Sequence, residues 1–368
     1  MSAIRKPAVK TKSMTLYDVA KHANVSYQTV SRVINQAEHV SDKTRRKVEA
    51  SMQSLNYVPN RVAQQLAGKL SQNIGLVTSN LSLHAPSQIA SAIKSQASKL
   101  HFNVMMSMIE QPDLDACKNA VNNLLSQRVD GLIVNIPLED EQVRAVTEMC
   151  GNVPALFLDV SPALMMNSIT FDVTAGTQLA VDHLVAQGHQ HIALLSGPPT
   201  SVSARMRLEG WQQALAQHQL KTCAQLQGDW SSHSGYLQTL ALLGLNVTFT
   251  ALLVANDQMA LGALRALHES GLSVPGQVSV IGYDDTEDSA CFIPPLTTIK
   301  QDFKALGSAS VDRLLKHIHA PNQPVQASVL PVTLIERKTT AAPDTFATSP
   351  QQLAEALTVL ARQVARLK

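Results

Sequence analysis

Acidic and amide side chains follow four short apolar runs in the later two-thirds of the chain. They are Asn135 after GLIV, Asp159 after PALFL, Asn256 after ALLVA and Asp284 after VSVIGY. Arg207 and Ser203 stand in a helical stretch just beyond another run, HIALLSG, and Trp230 lies in GDW. Carboxylates, amides and a guanidinium bind adjacent hydroxyls in pairs, and an indole stacks on the apolar face of a sugar ring. This set of residue types predicts a sugar-binding site.

A second group of polar side chains lies near the N-terminus, in SYQTVSRVIN. Tyr27, Gln28 and Arg32 occupy the outer side of a short amphipathic helix, where Lys and Glu would be the usual solvated residues. Gln pairs with adenine and Arg with guanine in the major groove, and a Tyr ring contacts a thymine methyl. The pattern indicates that this helix reads DNA bases.

Three helices position that face, in residues 15–57. The first begins at Thr15, the second carries Val30, Val33 and Ile34 inward, and the third begins at Ser41. A three-residue turn between the first two predicts a helix-turn-helix. The residues suited to phosphate contacts are Thr15, Ser26, Thr29, Ser31 and Asn35. The alternative is a three-helix packing module with a solvated polar face.

The body alternates β-branched runs with helical stretches from Ile74 onward. Seven near-continuous apolar runs end at residues 78, 108, 135, 159, 197, 257 and 285. Such runs separated by helices indicate parallel sheets covered on both faces. The predicted fold class is α/β, with two subdomains of doubly wound parallel sheets and a ligand cleft beyond the carboxyl ends of the strands.

Structural roles compete with binding roles at several of these positions. Asp257 is expected to cap the helix after VAND, and Asp285 to stabilise the turn after Tyr283. Phe171 and Ile89 fit an ordinary core. Arg207 and Asp284 fit a structural ion pair.

Composition narrows the class of protein. The 368 residues are 45% hydrophobic and 16% charged, which is typical of globular chains. Residues 1–69 hold 12 Lys and Arg against 4 Asp and Glu, whereas the remainder holds 18 against 24. A basic head on an acidic body predicts a polyanionic partner for the head. The basic N-terminus lacks the apolar core of a signal peptide, no run suits a membrane helix, and the four cysteines are scattered, so a cytoplasmic location is expected.

Sequence motifs of common enzymes are absent from the chain. It contains no GxGxxG after a strand, GxxxxGK[ST], HExxH or GxSxG. The paired histidines in GHQHI have no third ligand nearby and fit a strand entry. We therefore expect no enzyme activity, no cofactor and no metal site.

A short helix is predicted between head and body, within NYVPNRVAQQLAGK. Asn60 can cap it and Gly68 can end it, which leaves about eight residues, fewer than an isolated helix needs in water. Leu66 is an apolar residue among polar ones, and such wedges kink DNA from the minor groove. A plain linker with one stray Leu fits the spacing equally well.

The segments TLYDVAKHANVSYQTVSRVIN and NYVPNRVAQQLAGK, together with the body motifs, resemble the LacI/GalR family of bacterial repressors from about Met14 to Leu367. The resemblance implies a transcriptional repressor of an operon for lactose or galactoside use, released from operator DNA by a galactoside inducer. It implies a minor-groove hinge helix with Leu66 intercalated. The predicted DNA-binding set then also contains Leu16, Tyr17, His39, Asn60 and Ala63.

The resemblance also assigns an effector pocket. Its polar members are Asp159, Asn256, Arg207, Asp284, Ser203, Gln301 and Asn135, with Trp230 beside them. Its apolar wall comprises Leu83, Ala85, Pro86, Ile89, Phe171 and Phe303.

The C-terminal helix carries a heptad seam of about two heptads. Its members are Leu353, Leu357, Leu360, Val364 and Leu367. Helices of this length are too short to form a stable isolated pair, but a bundle of several such helices could bury the seam. The resemblance implies a four-helix bundle that joins two dimers into a tetramer. The alternative is a helix folded back onto its own body.

The predicted domains are an extension (1–13), a helix-turn-helix head (14–58), a hinge helix (59–70), a sugar-binding core (71–339), a linker (340–350) and a tetramerisation helix (351–368). Rival functions are a sugar-binding transport protein, a related repressor for a nucleobase or phosphorylated sugar, and a glycoside hydrolase acting through Asp159 and Asp284.

Overall fold

A computed structural model of the protein describes residues 14–34, 39–58, 70–110, 113–343 and residue 358. The chain divides into two compact units, residues 1–71 and 72–368. Several predicted features lie outside the described residues: the extension, most of the hinge helix and nearly all of the tail. The site residues among them are Asn35, Asn60, Ala63, Leu66, Leu353, Leu357, Leu360, Val364 and Leu367.

The first unit, which we call the head, contains three helices in its described part: α1 (Leu16–His22), α2 (Tyr27–Ile34) and α3 (Asp42–Ser54). Thr15 and Asp18 form a reciprocal capping box at the start of α1. Ser41 caps α3 by accepting a hydrogen bond from the Thr44 amide. The inner faces meet in a small core that includes Val19, Val30 and Val48. The predicted helix-turn-helix is confirmed in outline.

The second unit, which we call the core, contains two six-stranded sheets in its described part. The first has the order β11-β5-β4-β3-β1-β2 and the second β12-β10-β9-β8-β6-β7. The strands of the first sheet are β1 (Asn73–Thr78), β2 (Asn103–Met108), β3 (Gly131–Asn135), β4 (Ala155–Phe157), β5 (Ser168–Phe171) and β11 (Ala327–Leu330). Those of the second are β6 (Ile192–Ser196), β7 (Ala224–Gln227), β8 (Ala251–Val254), β9 (Ser279–Asp284), β10 (Thr297–Lys300) and β12 (Thr333–Ile335).

In the described residues of the core, eight α-helices join these strands. They are α4 (His84–Lys99), α5 (Leu114–Ser126), α6 (Asp140–Cys150), α7 (Val173–Ala186), α8 (Val202–Gln217), α9 (Ser232–Leu243), α10 (Asp257–Glu269) and α11 (Phe303–His319). All strand pairs are parallel except β10 with β12. The doubly wound α/β prediction is therefore confirmed, with one antiparallel strand at an edge.

The chain passes between the two sheets three times, after β5, after β10 and after β11. Helix α11 follows the second passage and packs against α4 and β3, so it belongs with the first sheet. The passages after β5 and β10 carry Phe171, Gln301 and Phe303. Residues that the sequence scatters are thus brought to the junction of the two lobes.

The end of the described core continues past the predicted boundary at residue 339. Thr339 is fully buried and donates its hydroxyl to the Val280 carbonyl. Thr340 bonds the ring of His183, and the Ala341 carbonyl accepts a hydrogen bond from Ser279. The first residues of the predicted linker are therefore attached to the second sheet.

Helices α9 and α10 pack backbone to backbone at Gly262. A Cβ built there would overlap the Ser232 carbonyl oxygen and lie 2.6 Å from the Tyr236 amide nitrogen. Since backbone atoms cannot move aside cheaply, we expect Gly262→Ala to lower the free energy of unfolding by about 3 kcal/mol. Denaturant unfolding would measure it. The control, Gly244→Ala, changes a glycine with φ −75° and no such overlap, and should leave stability unchanged or slightly raised. Equal stability of the two variants would contradict this packing.

Candidate functional site

A cavity of about 470 Å³ lies between the two lobes of the core. This is within the usual volume range of small-molecule sites. All fourteen residues predicted for the effector pocket line it: Leu83, Ala85, Pro86, Ile89, Asn135, Asp159, Phe171, Ser203, Arg207, Trp230, Asn256, Asp284, Gln301 and Phe303. The structure thus brings the whole predicted set together, and ligand binding by it stays a prediction.

Arg207 is the buried cation of the cavity. It lies on α8, whose first turn is capped by Ser201. Its guanidinium donates hydrogen bonds to the Ala255 carbonyl, to Gln301 Oε1 at 3.0 Å and to Asp284 Oδ1 at 3.4 Å. These acceptors come from β8, β10 and β9 or the residues that follow them. The structural ion pair with Asp284 therefore exists, and both of its members also line the cavity.

Two cavity carboxyls have perturbed acidity. Burial raises the pKa of Asp159 to about 6, against the opposing effects of Arg207 and of hydrogen bonds from Ser203. Burial raises the pKa of Asp284 to about 7, although the charge of Arg207 opposes it. Near neutral pH such groups exist in both protonation states, and a carboxyl can then either accept from or donate to a ligand hydroxyl.

The backbone at Asp284 is unusual. Asp284 has φ +120° and Asp285 has φ +59°, values that L-residues seldom adopt. Backbone strain of this kind persists where the surrounding structure holds it, and it clusters at binding sites. Here it falls on the last residue of β9 and the residue that follows.

Aromatic rings form part of the cavity wall. The rings of Phe171 and Phe303 meet edge to face with centroids 5.7 Å apart, and His84 lies 6.0 Å from Phe303. Phe171, Phe303 and Ile89 also belong to the main hydrophobic core, so their structural and lining roles coincide. Trp230 packs on Gly197, where an added Cβ would lie 2.5 Å from the nearest indole atom.

One structural assignment made from sequence is wrong in detail. Asn256, not Asp257, caps α10, because its side-chain oxygen accepts from the Met259 amide. Asp257 is fully buried and accepts hydrogen bonds from Thr286 and two hydroxyls. Asp285 forms ion pairs with Lys300 and Arg337, which join the end of β9 to β10 and to the segment after β12; its stabilising role after Tyr283 stays a prediction.

Further polar residues line the cavity that the sequence reasoning missed. Ser79 and Asn80 directly follow β1, so the rule that selected Asn135 would have found them. Thr170 lies in β5, which the apolar pattern did not reveal. Gln258 accepts a hydrogen bond from the His84 amide at 2.9 Å and so joins the two lobes. No sequence signal indicates that pairing.

The head presents its predicted DNA-reading side chains outward. Tyr27, Gln28 and Arg32 are exposed on α2, and Val30 and Val33 are buried behind them. The rings of Tyr17 and Tyr27 stack with centroids 4.7 Å apart. Ser26 caps α2 through the Thr29 amide, which is a structural use of its hydroxyl.

The remaining described members of the predicted DNA-binding set also lie in the head. Thr15 and His39 are exposed, and Leu16, Thr29 and Ser31 are half-buried. Leu16 packs against the hydrophobic cluster inside the head, so its role there is at least partly structural. DNA contacts by these residues stay predictions.

The described residues contain no group of three or more His, Cys, Asp or Glu side chains placed to hold a metal ion. In the same parts of the chain, no helix combines the length and the hydropathy needed to cross a bilayer.

The raised pKa of Asp159 has a consequence for stability. An unfolded Asp has a pKa of about 3.9, so between about pH 4 and 6 the native state binds more protons and ionisation opposes folding. We expect Asp159→Asn to raise the thermal unfolding midpoint relative to the unmodified protein, and by more at pH 8 than at pH 5. The control Glu141→Gln changes an exposed carboxylate and should show no such pH-dependent difference. A difference between the variant and the unmodified protein that shrinks as pH rises would contradict the sign.

Two family descriptions match parts of the chain. Residues 15–60 match bacterial regulatory proteins of the lacI family, and residues 181–340 match a periplasmic binding protein-like domain. The first match covers the helix-turn-helix, and the second covers most of the second lobe.

Curated relatives match almost the whole chain. The lactose operon repressor of Escherichia coli (strain K12) is 60% identical over 358 residues, which is 97% of this chain and 99% of that protein. The lactose operon repressor of Klebsiella pneumoniae is 44% identical over 89% of this chain and 92% of its own length.

A solved structure agrees with the fold. The lac repressor dimer bound to operator and the anti-inducer ONPF superposes with a TM-score of 0.86 at 60% identity, covering 90% of this chain and 100% of that one. Identity of this level over nearly the full length shows common descent and a shared architecture. The chain belongs to the lacI family of bacterial regulatory proteins.

Proposed function

We propose that this protein is a sequence-specific transcriptional repressor of an operon for lactose or galactoside use, released from its operator when a galactoside occupies the cavity between its two lobes. The observation that carries the proposal is the set of groups around Arg207, which offers paired hydrogen-bonding groups and an indole to a polyhydroxylated ring. Relatives with the same architecture are named lactose operon repressors, and one was solved with ONPG in the repressed state.

The chemistry of the cavity favours a neutral sugar over an anion. Arg207 is the buried cation, and its donors already serve Ala255, Gln301 and Asp284. Asp159 and Asp284 line the same space and repel a phosphate as they ionise. A purine would require aromatic faces on both of its sides. Hydroxyl groups instead match both the acceptors and the donors that are present.

Ligand binding can be coupled to the arrangement of the lobes. Asn135 and Asp159 belong to the first lobe, whereas Arg207, Trp230 and Asn256 belong to the second. A sugar that bonds both sets stabilises one relative orientation of the lobes. Coupling free energies of this kind are typically about 1–3 kcal/mol per effector. Two sites in a dimer supply about twice that.

The hinge helix is the proposed element on which this coupling acts. A segment of about eight helical residues is too short to persist alone, so it needs DNA and a second copy for support. In this proposal Leu66 enters the minor groove, and rotation of the first lobes on sugar binding separates the two hinges. Cytoplasmic action at chromosomal operator DNA follows from that role.

A dimer places two heads on the two half-sites of an operator. Exposed leucines on α9 and α10 offer an apolar surface for pairing: Leu237, Leu240 and Leu261 are 47%, 37% and 43% exposed. We expect Leu261→Asp to weaken dimerisation, and sedimentation should then show monomers at micromolar concentration. Leu179→Asp, on an exposed leucine of α7, is the control and should leave assembly unchanged. Undiminished assembly of Leu261→Asp would exclude this surface.

The C-terminal heptad seam is proposed to join two dimers into a tetramer. Removal of residues 344–368 is expected to yield dimers that still bind operator and sugar. Sedimentation of the shortened and full chains would show whether the tail sets the larger assembly.

Calorimetry with a panel of ligands tests the effector class. Galactosides should bind the full chain, whereas glucosides, phosphorylated sugars and purines should bind at least tenfold more weakly. Preferential binding of a phosphorylated sugar or a purine would contradict the proposal that the effector is a galactoside. A chromogenic galactoside should be recovered intact, and its hydrolysis would instead indicate an enzyme.

A further inference from the structure

The guanidinium of Arg207 lies over the ring of Tyr283. The guanidinium carbon of Arg207 is 3.9 Å from the Tyr283 ring centroid and 5.5 Å from that of Trp230. Tyr283 is fully buried in β9 and directly precedes Asp284. Both rings therefore lie within cation–π range of the guanidinium, and its terminal nitrogens remain for hydrogen bonds.

The edge contacts of Arg207 leave its orientation incompletely held. One terminal nitrogen donates to the Ala255 carbonyl, and the other donates to Gln301 and Asp284. Its Nε is buried without a hydrogen-bond partner among the described residues. All the anchoring hydrogen bonds thus lie at the tip of the side chain. Contact with the Tyr283 ring is what keeps the guanidinium from tilting about that tip.

The hydroxyl of Tyr283 does not hold Arg207. It is buried and has no hydrogen-bond partner within the described ranges. Burying a hydroxyl without a partner costs free energy, so hydrogen bonding within the described ranges does not account for a tyrosine at this position. It occupies the space above Gly176, where an added Cβ would overlap it. The aromatic ring is therefore the part that serves Arg207, and the hydroxyl fills a gap in the packing.

We propose that Tyr283 is a positioning residue for effector binding, whose ring holds the guanidinium of Arg207 in the plane that faces the ligand. The inference rests on the proposed function, because it concerns the same cavity. It adds a residue that does not line the cavity and acts only through Arg207.

The test compares Tyr283→Phe with Tyr283→Leu in the full chain. Binding of a galactoside and of operator DNA is titrated separately for each. Tyr283→Phe keeps the ring, so its galactoside dissociation constant should stay within threefold of that of the unmodified protein. Tyr283→Leu should weaken galactoside binding at least tenfold, with operator affinity within threefold. Equal losses in both variants, or no loss in Tyr283→Leu, would overturn the proposal.

A double-mutant cycle separates positioning from general destabilisation. In an Arg207→Lys background the planar cation is gone, so Tyr283→Leu should cost less than threefold in galactoside affinity. An undiminished tenfold cost there would show that Tyr283 acts independently of Arg207.

A third comparison needs no ligand, and it remains possible if the Tyr283→Leu protein does not fold. Gly176→Ala should lower the thermal unfolding midpoint of the unmodified protein more than that of Tyr283→Phe, since the latter lacks the overlapping hydroxyl. Equal losses would refute the gap-filling role. If the unmodified protein binds no galactoside, the proposed function fails, while this comparison still tests the packing of the ring.

Discussion

Replacing Arg207 by lysine is expected to weaken galactoside binding at least 100-fold while operator affinity stays within threefold of the unmodified value. An ammonium cannot reproduce a planar fork, so it loses at least two of the hydrogen bonds to Ala255, Gln301 and Asp284. Without them the cation is not held for the ligand, and in the proposed complex two charged hydrogen bonds to sugar hydroxyls are lost, at about 1.5–3 kcal/mol each; a loss of about 3 kcal/mol corresponds to more than 100-fold in affinity. Calorimetry with a galactoside and fluorescence anisotropy with operator DNA measure the two quantities.

The matched control for that variant is Arg265→Lys. Arg265 lies on α10 and forms an exposed pair with Glu269, and such pairs contribute little. Galactoside affinity should be unchanged in this control. A similar loss in both variants would mean that Arg207 acts through overall charge and not through its contacts in the cavity.

Alanine substitution on α2 is expected to have the largest effect on DNA recognition. Gln28 and Arg32 are exposed beside Tyr27, on the face opposite Val30 and Val33. A well-formed side-chain contact to a base is worth about 1–3 kcal/mol. Each variant should therefore bind operator about 5- to 150-fold more weakly while binding scrambled DNA almost as before, because the lost contacts read sequence.

Arg46→Ala is the control for charge in the head. Arg46 is exposed on α3, outside the recognition helix, so its removal changes the same formal charge as Arg32→Ala. Any loss of affinity should be equal for operator and scrambled DNA. If Arg32→Ala also lowers both affinities equally, Arg32 contacts phosphate and the base-reading role assigned to α2 is wrong.

Near-continuous apolar runs predicted seven strands and missed five short ones that carry Ser, Thr or Gln. All seven apolar runs contain strands, since parallel strands buried on both faces are almost wholly apolar. The missed strands, β5, β7, β10, β11 and β12, have only three or four residues each, and β7 alternates exposed positions with half-buried ones. Such segments are strands because of their neighbours, which a single sequence does not reveal.

In the candidate site, too, sequence revealed the residues that follow local patterns and missed those that meet only in the fold. Asn135, Asp159, Asn256 and Asp284 could be selected from sequence because carboxyl ends of parallel strands share one edge. The hydrogen-bond partners of Asp257 could not be selected from sequence, because Thr286, Ser289 and Thr298 lie 29–41 residues away along the chain. The support of Arg207 by Tyr283 was hidden for the same reason, since they are 76 residues apart and meet only through the second sheet.

Operator affinity measured with and without a saturating galactoside tests the central claim most directly. Two effectors at about 1–3 kcal/mol each predict that the operator dissociation constant of the unmodified protein rises at least 30-fold, whereas in Arg207→Lys the same sugar concentration leaves it unchanged. An operator dissociation constant that stays constant in the unmodified protein, with the cavity shown by calorimetry to be occupied, would contradict control of the head by the cavity.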